Sequence, residues 1–415
     1  MKHYETEILT SPFVKPDVYG ALTMPVYHTA AFEFPTAKAM SDVFCGRSPE
    51  HSYSRISNPT VQNYEWRVRR YTGTMSVTAF NTGMAAIANT LFAICQQGTN
   101  IVTSPHLFGN TFSFMKHTLA QFGVEMRTAD LIHPEEMESE IDDYTAAVFF
   151  EIITNPQQEV ADIAALSAVA HRHGVPVIAD TTIIPFTAFH AKDFGVDIEV
   201  VSSTKYISGG ATGLGGLVLD YGTFDWSQSP NQMLKNRTKQ VGKRAAFTAR
   251  LKTEILTNLG ALMTPHEAYM QCLGLETLQL RFHQQASSAL WIAQQLKSEP
   301  RIQKVSYTGL DDHPFHDISL RQFGPLPGAM FTIDLADKQQ CYRFIDALQL
   351  IHRATNLFDH RSLAIHPAST IFGLFTPEQR ADMDVRDTTI RLSIGLEAKE
   401  DILADILQAL DKMLQ

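Results

Sequence analysis

Between about residues 75 and 220 the sequence alternates short apolar runs with amphipathic stretches, and nothing else in the chain constrains its fold as tightly. Ser76 to Phe80, Ile101 to Ser104, Ala146 to Ile152, Val175 to Asp180, Ile198 to Ser202 and Leu217 to Leu219 read as strands. Among them the spacing predicts helices over Gly83 to Ala93, Phe112 to Phe122 and Val160 to His173, the last stopped by Gly174. Such alternation builds βαβ units and a mainly parallel sheet buried on both faces. Functional groups then gather at the carboxyl ends of the strands.

The flanking sequence differs on each side. Before residue 59, Pro12, Pro16, Pro25 and Pro35, with Gly20, Gly46 and Pro49, interrupt any periodic segment. Residues 1–58 therefore read as an arm that must pack on something else. Pro59 to Tyr71 turns helical, with Val61, Tyr64 and Val68 on one face. After the polar stretch Gly222 to Lys243, a long helix is expected over Leu273 to Ser298. An extended run at Ala329 to Leu335, a helix from Gln339 to Leu348, a strand at Thr389 to Ile394 and a last helix from Asp401 to Leu414 follow. The expected organisation is an arm (1–58), a large α/β domain (59–255) and a smaller α+β domain (256–415).

Composition removes several classes of function. With 44 acidic against 34 basic side chains, the net charge of -10 argues against a general grip on nucleic acid or anionic lipid. No apolar run approaches the ~18 residues a spanning helix needs. Met1 to Pro12 lacks the pattern of a signal peptide, so a soluble, cytoplasmic protein is expected. Cys45, Cys95, Cys272 and Cys341 lie far apart without a Cys-x-x-Cys pair, as reduced core residues do. Neither His171/His173 nor His313/His316 has the i, i+4 spacing of a helical zinc motif, and no metal is expected.

The chemistry concentrates at strand ends. Val200-Val201-Ser202-Ser203-Thr204-Lys205 ends a strand in three hydroxyls and a lysine. An amine there, desolvated by a buried sheet, is a candidate nucleophile for a Schiff base, although alone it would read as a surface loop lysine. Upstream, Val177-Ile178-Ala179-Asp180 ends a strand in a carboxylate that suits a protonated pyridine nitrogen, or simply a helix cap. Asn81-Thr82-Gly83-Met84 makes a tight turn at a helix N-terminus, where N–H groups favour an oxyanion such as phosphate. Together these three features spell pyridoxal phosphate. The glycines at Gly213-Leu214-Gly215-Gly216 precede a strand rather than a helix, which weakens a dinucleotide reading.

Four segments stand in order along the chain: Tyr53-Ser54-Arg55-Ile56-Ser57-Asn58-Pro59-Thr60, Ser203-Thr204-Lys205-Tyr206, His366-Pro367-Ala368-Ser369-Thr370 and Arg391-Leu392-Ser393-Ile394-Gly395-Leu396-Glu397. On these the chain resembles the Cys/Met-metabolism family of pyridoxal-phosphate enzymes, which includes cystathionine γ-synthases, γ-lyases and O-acetylhomoserine sulfhydrylases. The resemblance implies an aspartate-aminotransferase-like (fold type I) architecture with pyridoxal 5'-phosphate as cofactor. It implies that Lys205 forms the internal aldimine and shuttles protons, and that Asp180 keeps the pyridine nitrogen protonated. Gly83, Met84, Ser202 and Thr204 would bind the phosphate, and Tyr53 and Arg55 would reach the phosphate of a neighbouring subunit. The same resemblance implies dimers that share active sites, paired into a homotetramer. Asn155 and Arg391 match positions that receive a substrate α-carboxylate, and Asn356 lies in a segment near it.

Three departures bear on the substrate. Phe108 stands where the family has a tyrosine stacked on the cofactor, Thr181 replaces an asparagine after the aspartate, and Asn356-Leu357-Phe358-Asp359 replaces a Ser-Leu-Gly-Asp type segment. A thiolate leaves poorly without an acid to protonate it, whereas acetate or succinate leaves readily. Loss of the phenol therefore favours γ-replacement on an activated homoserine ester, giving homocysteine or methionine. The alternative is a γ-lyase acting on methionine or cystathionine. From another class, a cofactor-binding regulatory protein without turnover would also fit Phe108 and Thr181.

Overall fold

The computed structural model describes residues 3–414. Seven strands form the larger sheet: β1 (Ser76–Phe80), β2 (Asn100–Thr103), β3 (Glu125–Thr128), β4 (Thr145–Glu151), β5 (Val177–Asp180), β6 (Ile198–Val201) and β7 (Gly216–Asp220). Their order is β1-β7-β6-β5-β4-β2-β3, and only β7 runs antiparallel to its neighbours. Every residue of β2, β4, β6 and β7 is buried, because helices cover both faces. The edge strand β3 was not foreseen. Its Glu-Met-Arg-Thr sequence is half exposed and carries no apolar run.

Register fixes what meets at the carboxyl rim. Glu151 of β4 lies opposite Asp180 of β5, and Asp180 lies opposite Val200 of β6. The helix Gly83–Ile94 starts directly behind this rim, capped by the Thr82 hydroxyl, which accepts the Ala85 N–H at 2.9 Å.

A smaller sheet follows, made of β8 (Lys304–Ser306), β9 (Met330–Asp334), β10 (His352–Arg353), β11 (Leu363–Ile365) and β12 (Thr389–Ser393). Its order is β10-β11-β12-β9-β8, antiparallel except for the β10–β11 pair. The fully buried β12 sits at its centre and carries Arg391. The helices Lys338–Ala347 and Lys399–Met413 pack on each other beside it. Among the described residues no helix is long and apolar enough to cross a membrane.

The single helix expected over 273–298 is two, Pro265–Glu276 and Leu278–Leu296, separated by Thr277. The cause is tertiary. Arg281 donates from Nη2 to the Gly274 carbonyl and from Nη1 to the Tyr206 carbonyl, each at 2.7 Å. It thereby ties the end of one helix to the loop that follows Lys205. The first described helix is anchored as well: it spans Tyr4–Leu9, and the Tyr4 hydroxyl donates to the Leu275 carbonyl at 2.6 Å. Farther on, Val18, Tyr19 and Leu22 stand almost fully exposed.

Gly274 permits this junction, since a Cβ there would lie 1.9 Å from the Ile207 carbonyl oxygen. Gly274→Ala should therefore cost about 1–3 kcal/mol in denaturant unfolding and lower the protein's cofactor content. An unchanged midpoint would show that the loop yields freely.

Candidate active site

Between the two sheets lies a cavity of about 190 Å³. From the larger sheet its wall takes Glu151, Asp180, Thr182 and Ser202, all at or just beyond strand ends, with Lys205 on the loop after β6. Gly83 and Met84 line it from the helix start. The Thr82 cap serves the Ala85 N–H, and the Gly83 and Met84 N–H groups lie in the first turn, where a helix offers no internal acceptor. Close approach requires the glycine: a Cβ on Gly83 would lie 2.7 Å from Ser202 Cβ. The result is a cup of backbone donors with a serine beside it, suited to an oxyanion.

Lys205 is half-buried, and its Nζ donates to Asn356 Oδ1 at 2.7 Å. Burial, and then the charge of Arg391, bring its pKa down to about 8 against the opposing pull of Asp180. Asp180 accepts the Thr182 N–H at 2.9 Å, and burial raises its pKa. Glu151 is pushed farther up, first by burial and then by the neighbouring Asp180 charge, while its Oε1 accepts the Phe108 N–H at 2.5 Å. Of this pair Asp180 keeps the charge, because Lys205 acts on Asp180 and no cation acts on Glu151.

Arg391 enters from β12 with 4% of its surface exposed. Its Nη1 donates to Asn155 Oδ1 at 3.2 Å and its Nη2 to the Asn356 carbonyl at 3.1 Å, whereas its Nε has no partner. Burial alone depresses its pKa to about 9. A buried guanidinium with only neutral partners is uncompensated and calls for an anion, and its fork suits a carboxylate. Asn356 thus touches both cations of the cavity.

The cavity gathers Lys205, Asp180, Gly83, Met84, Phe108, Ser202, Asn155, Asn356 and Arg391. It does not gather Thr204, Tyr53 or Arg55. The Thr204 hydroxyl is engaged with the Gly215 backbone, accepting its N–H at 3.0 Å. Arg55 donates to the Thr257 carbonyl at 2.7 Å and lies 5.6 Å over the Tyr53 ring, away from the cavity. Thr181 faces away, with its hydroxyl on Glu199. Among the wall residues that escaped the sequence reading are Glu151 and Thr182. Glu151 ends β4 as Asp180 ends β5, but the apolar Ile152 and Ile153 follow it and mask the strand end. Thr182 gave no signal: its hydroxyl accepts the Ser202 N–H at 2.9 Å, a purely tertiary contact.

This donor set fits pyridoxal phosphate: an oxyanion cup, a carboxylate for a ring nitrogen, one desolvated amine and the flat apolar wall of Phe108. Comparison with known proteins agrees. The sequence profile described as "Cys/Met metabolism PLP-dependent enzyme" matches residues 5–411. The chain is 34% identical to the L-methionine gamma-lyase of Pseudomonas putida, over 98% of this chain and 97% of that one. It is 33% identical to O-acetyl-L-homoserine sulfhydrylase 1 of Thermus thermophilus, over 93% and 94%. A crystal structure of an O-acetylhomoserine (thiol)-lyase from Campylobacter jejuni, bearing N'-pyridoxyl-lysine-5'-monophosphate, superposes with a TM-score of 0.91 at 29% identity, covering 99% of this chain and all of that one.

The depressed lysine pKa gives a stability signature in the cofactor-free protein. Between pH 8 and 10.5 the unfolded chain holds a proton on Lys205 that the folded chain has released, so stability rises with pH across that window. Measured against Lys205→Met in denaturant, the wild type should gain on the order of 3 kcal/mol from the lower to the upper limit. Parallel curves would place Lys205 in water.

Proposed function

We infer the reaction from a premise: the chain belongs to the Cys/Met metabolism PLP-dependent enzymes, with the two-sheet architecture of fold type I. We propose that it catalyses γ-replacement on an activated homoserine ester. O-acetyl-L-homoserine and sulfide, or a small thiol, give homocysteine or methionine and acetate.

When bound, the cofactor supplies an electron sink that acidifies the substrate's α and β C–H bonds. The chain's own residues do the rest. The Gly83 and Met84 N–H groups and the Ser202 hydroxyl would hold the phosphate, with Thr204 shaping the adjoining loop. Asp180 would hold the ring nitrogen, and Phe108 would offer the ring an apolar wall. Arg391, steadied by Asn155 and Asn356, binds the substrate carboxylate and gains the anion its burial lacks. Lys205, whose amine the site desolvates, takes a proton from carbon at Nζ and returns one from it.

One observation carries replacement over elimination. Within one copy no phenol, thiol or imidazole of the described residues lines the cavity, Phe108 occupies the wall where such an acid would serve, and the Tyr53 phenol of the other copy is assigned to the phosphate. Acetate departs without that help and a thiolate does not. The similarity to a methionine gamma-lyase favours the second reading, γ-elimination.

The working unit is a dimer, in which Tyr53 and Arg55 of one copy complete the phosphate site of the other, and two such dimers form a homotetramer. This reading is supported by the distance of both residues from their own cavity and by the exposed apolar side chains of the segment before them. A cytoplasmic location accords with four unpaired cysteines.

Acetate release from O-acetylhomoserine should depend on sulfide and yield homocysteine. Faster formation of α-ketobutyrate and a thiol from methionine would replace this reading with the lyase. Phe108→Tyr restores a phenol and should raise elimination from methionine by ~10-fold or more, with acetate release little changed.

A further inference from the structure

Thr181 follows Asp180 directly but has no place in the cavity. Side chains alternate along a strand, and Thr181 turns to the opposite face of the sheet. There its hydroxyl donates to Glu199 Oε1 at 2.6 Å, and the Tyr221 hydroxyl donates to Glu199 Oε2, also at 2.6 Å. Glu199, in β6, has no exposed surface. The groups that act on it are Thr181, Tyr221 and Asp180, with no cation among them.

Counting hydrogens favours the ionised state of this cluster. If Glu199 is ionised, each of its oxygens accepts one hydroxyl hydrogen and nothing is left over. If Glu199 is neutral, its own hydrogen must go to Thr181 or Tyr221, and one hydroxyl hydrogen then lacks an acceptor within the cluster. Both O···O distances also lie in the range for a hydroxyl donating to a carboxylate anion. Burial, with the Asp180 charge, raises the Glu199 pKa, and the two hydroxyls oppose that rise. A buried anion without a cation is costly, and this one sits one residue below Asp180 on the adjacent strand, with Glu199 opposite Ala179.

We propose that Glu199, held ionised by Thr181 and Tyr221, is a positioning residue that strengthens the grip of Asp180 on the protonated ring nitrogen of the cofactor. The added negative charge raises the proton affinity of the Asp180–ring pair as a whole. The Thr181 bond also pins the turn in which the Thr182 N–H holds Asp180 Oδ1. Thr181 thereby acquires a purpose: it is one of the two donors that keep the anion charged. The inference rests on the placement of the ring nitrogen against Asp180 given above.

The test uses the holoenzyme, reconstituted with pyridoxal 5'-phosphate isotopically labelled at the ring nitrogen and observed by NMR at one pH. Thermal unfolding of each variant serves as the folding control. Asp180→Asn should displace the nitrogen resonance toward that of neutral pyridine. Glu199→Gln and Thr181→Val should displace it the same way by a smaller amount, because Thr181→Val removes one donor and lets burial neutralise Glu199. Thr181→Ser keeps the hydroxyl and should retain the wild-type shift. Should Glu199→Gln fail to fold or to load cofactor, the Thr181→Val and Thr181→Ser pair decides. Wild-type shifts in Thr181→Val and Glu199→Gln alongside a displaced Asp180→Asn would reduce the cluster to packing and overturn the proposal. An unmoved Asp180→Asn would instead show that Asp180 does not hold the ring, and both readings would fall.

Discussion

Lys205 sits half-buried on the loop just after β6 with Asp180 as the opposing charge, and the cavity is arranged around that pair. Parallel pairing of β4, β5 and β6 makes it unavoidable, since strands that run the same way end on the same rim. The in-register meeting of Glu151 and Asp180 puts two carboxyl groups where one charge is tolerated, and the neutral partner secures the Phe108 backbone. Desolvation does the rest. It lowers the lysine toward neutrality and raises the acids, as a site that moves protons at ordinary pH requires.

The smaller sheet contributes a second, complementary imbalance. Arg391 is buried as deeply as a core residue yet meets no carboxylate, only Asn155 and the Asn356 carbonyl. Its bond to Asn155 joins positions 236 residues apart, and so ties the rim of one sheet to the centre of the other. A protein interior retains such an uncompensated cation only at a cost of several kcal/mol. An incoming substrate carboxylate relieves that cost, and binding is then coupled to the relief of buried charge.

Much of this was legible in the sequence, for identifiable reasons. Asp180 and Lys205 stood out because an apolar strand that ends in a polar group advertises a rim position. Glu151 carries the same signature but was hidden, because the apolar residues Ile152 and Ile153 follow it and extend the apparent strand past the acid. Thr181 misled by adjacency: one residue along a strand is a change of face, and its partner Glu199 belongs to another strand. The break at Thr277 left no trace in the apolar periodicity, since Leu278, Phe282 and Ala286 continue the stripe. It is imposed by the contacts of Arg281 with Gly274 and Tyr206, which exist only after folding.

The most direct test of the account is where the cofactor attaches. Borohydride reduction of the cofactor-loaded protein, followed by peptide mapping, should find the pyridoxyl group on Lys205 and on no other lysine. A pyridoxyl group on a different lysine, in protein that still releases acetate from O-acetylhomoserine, would contradict it.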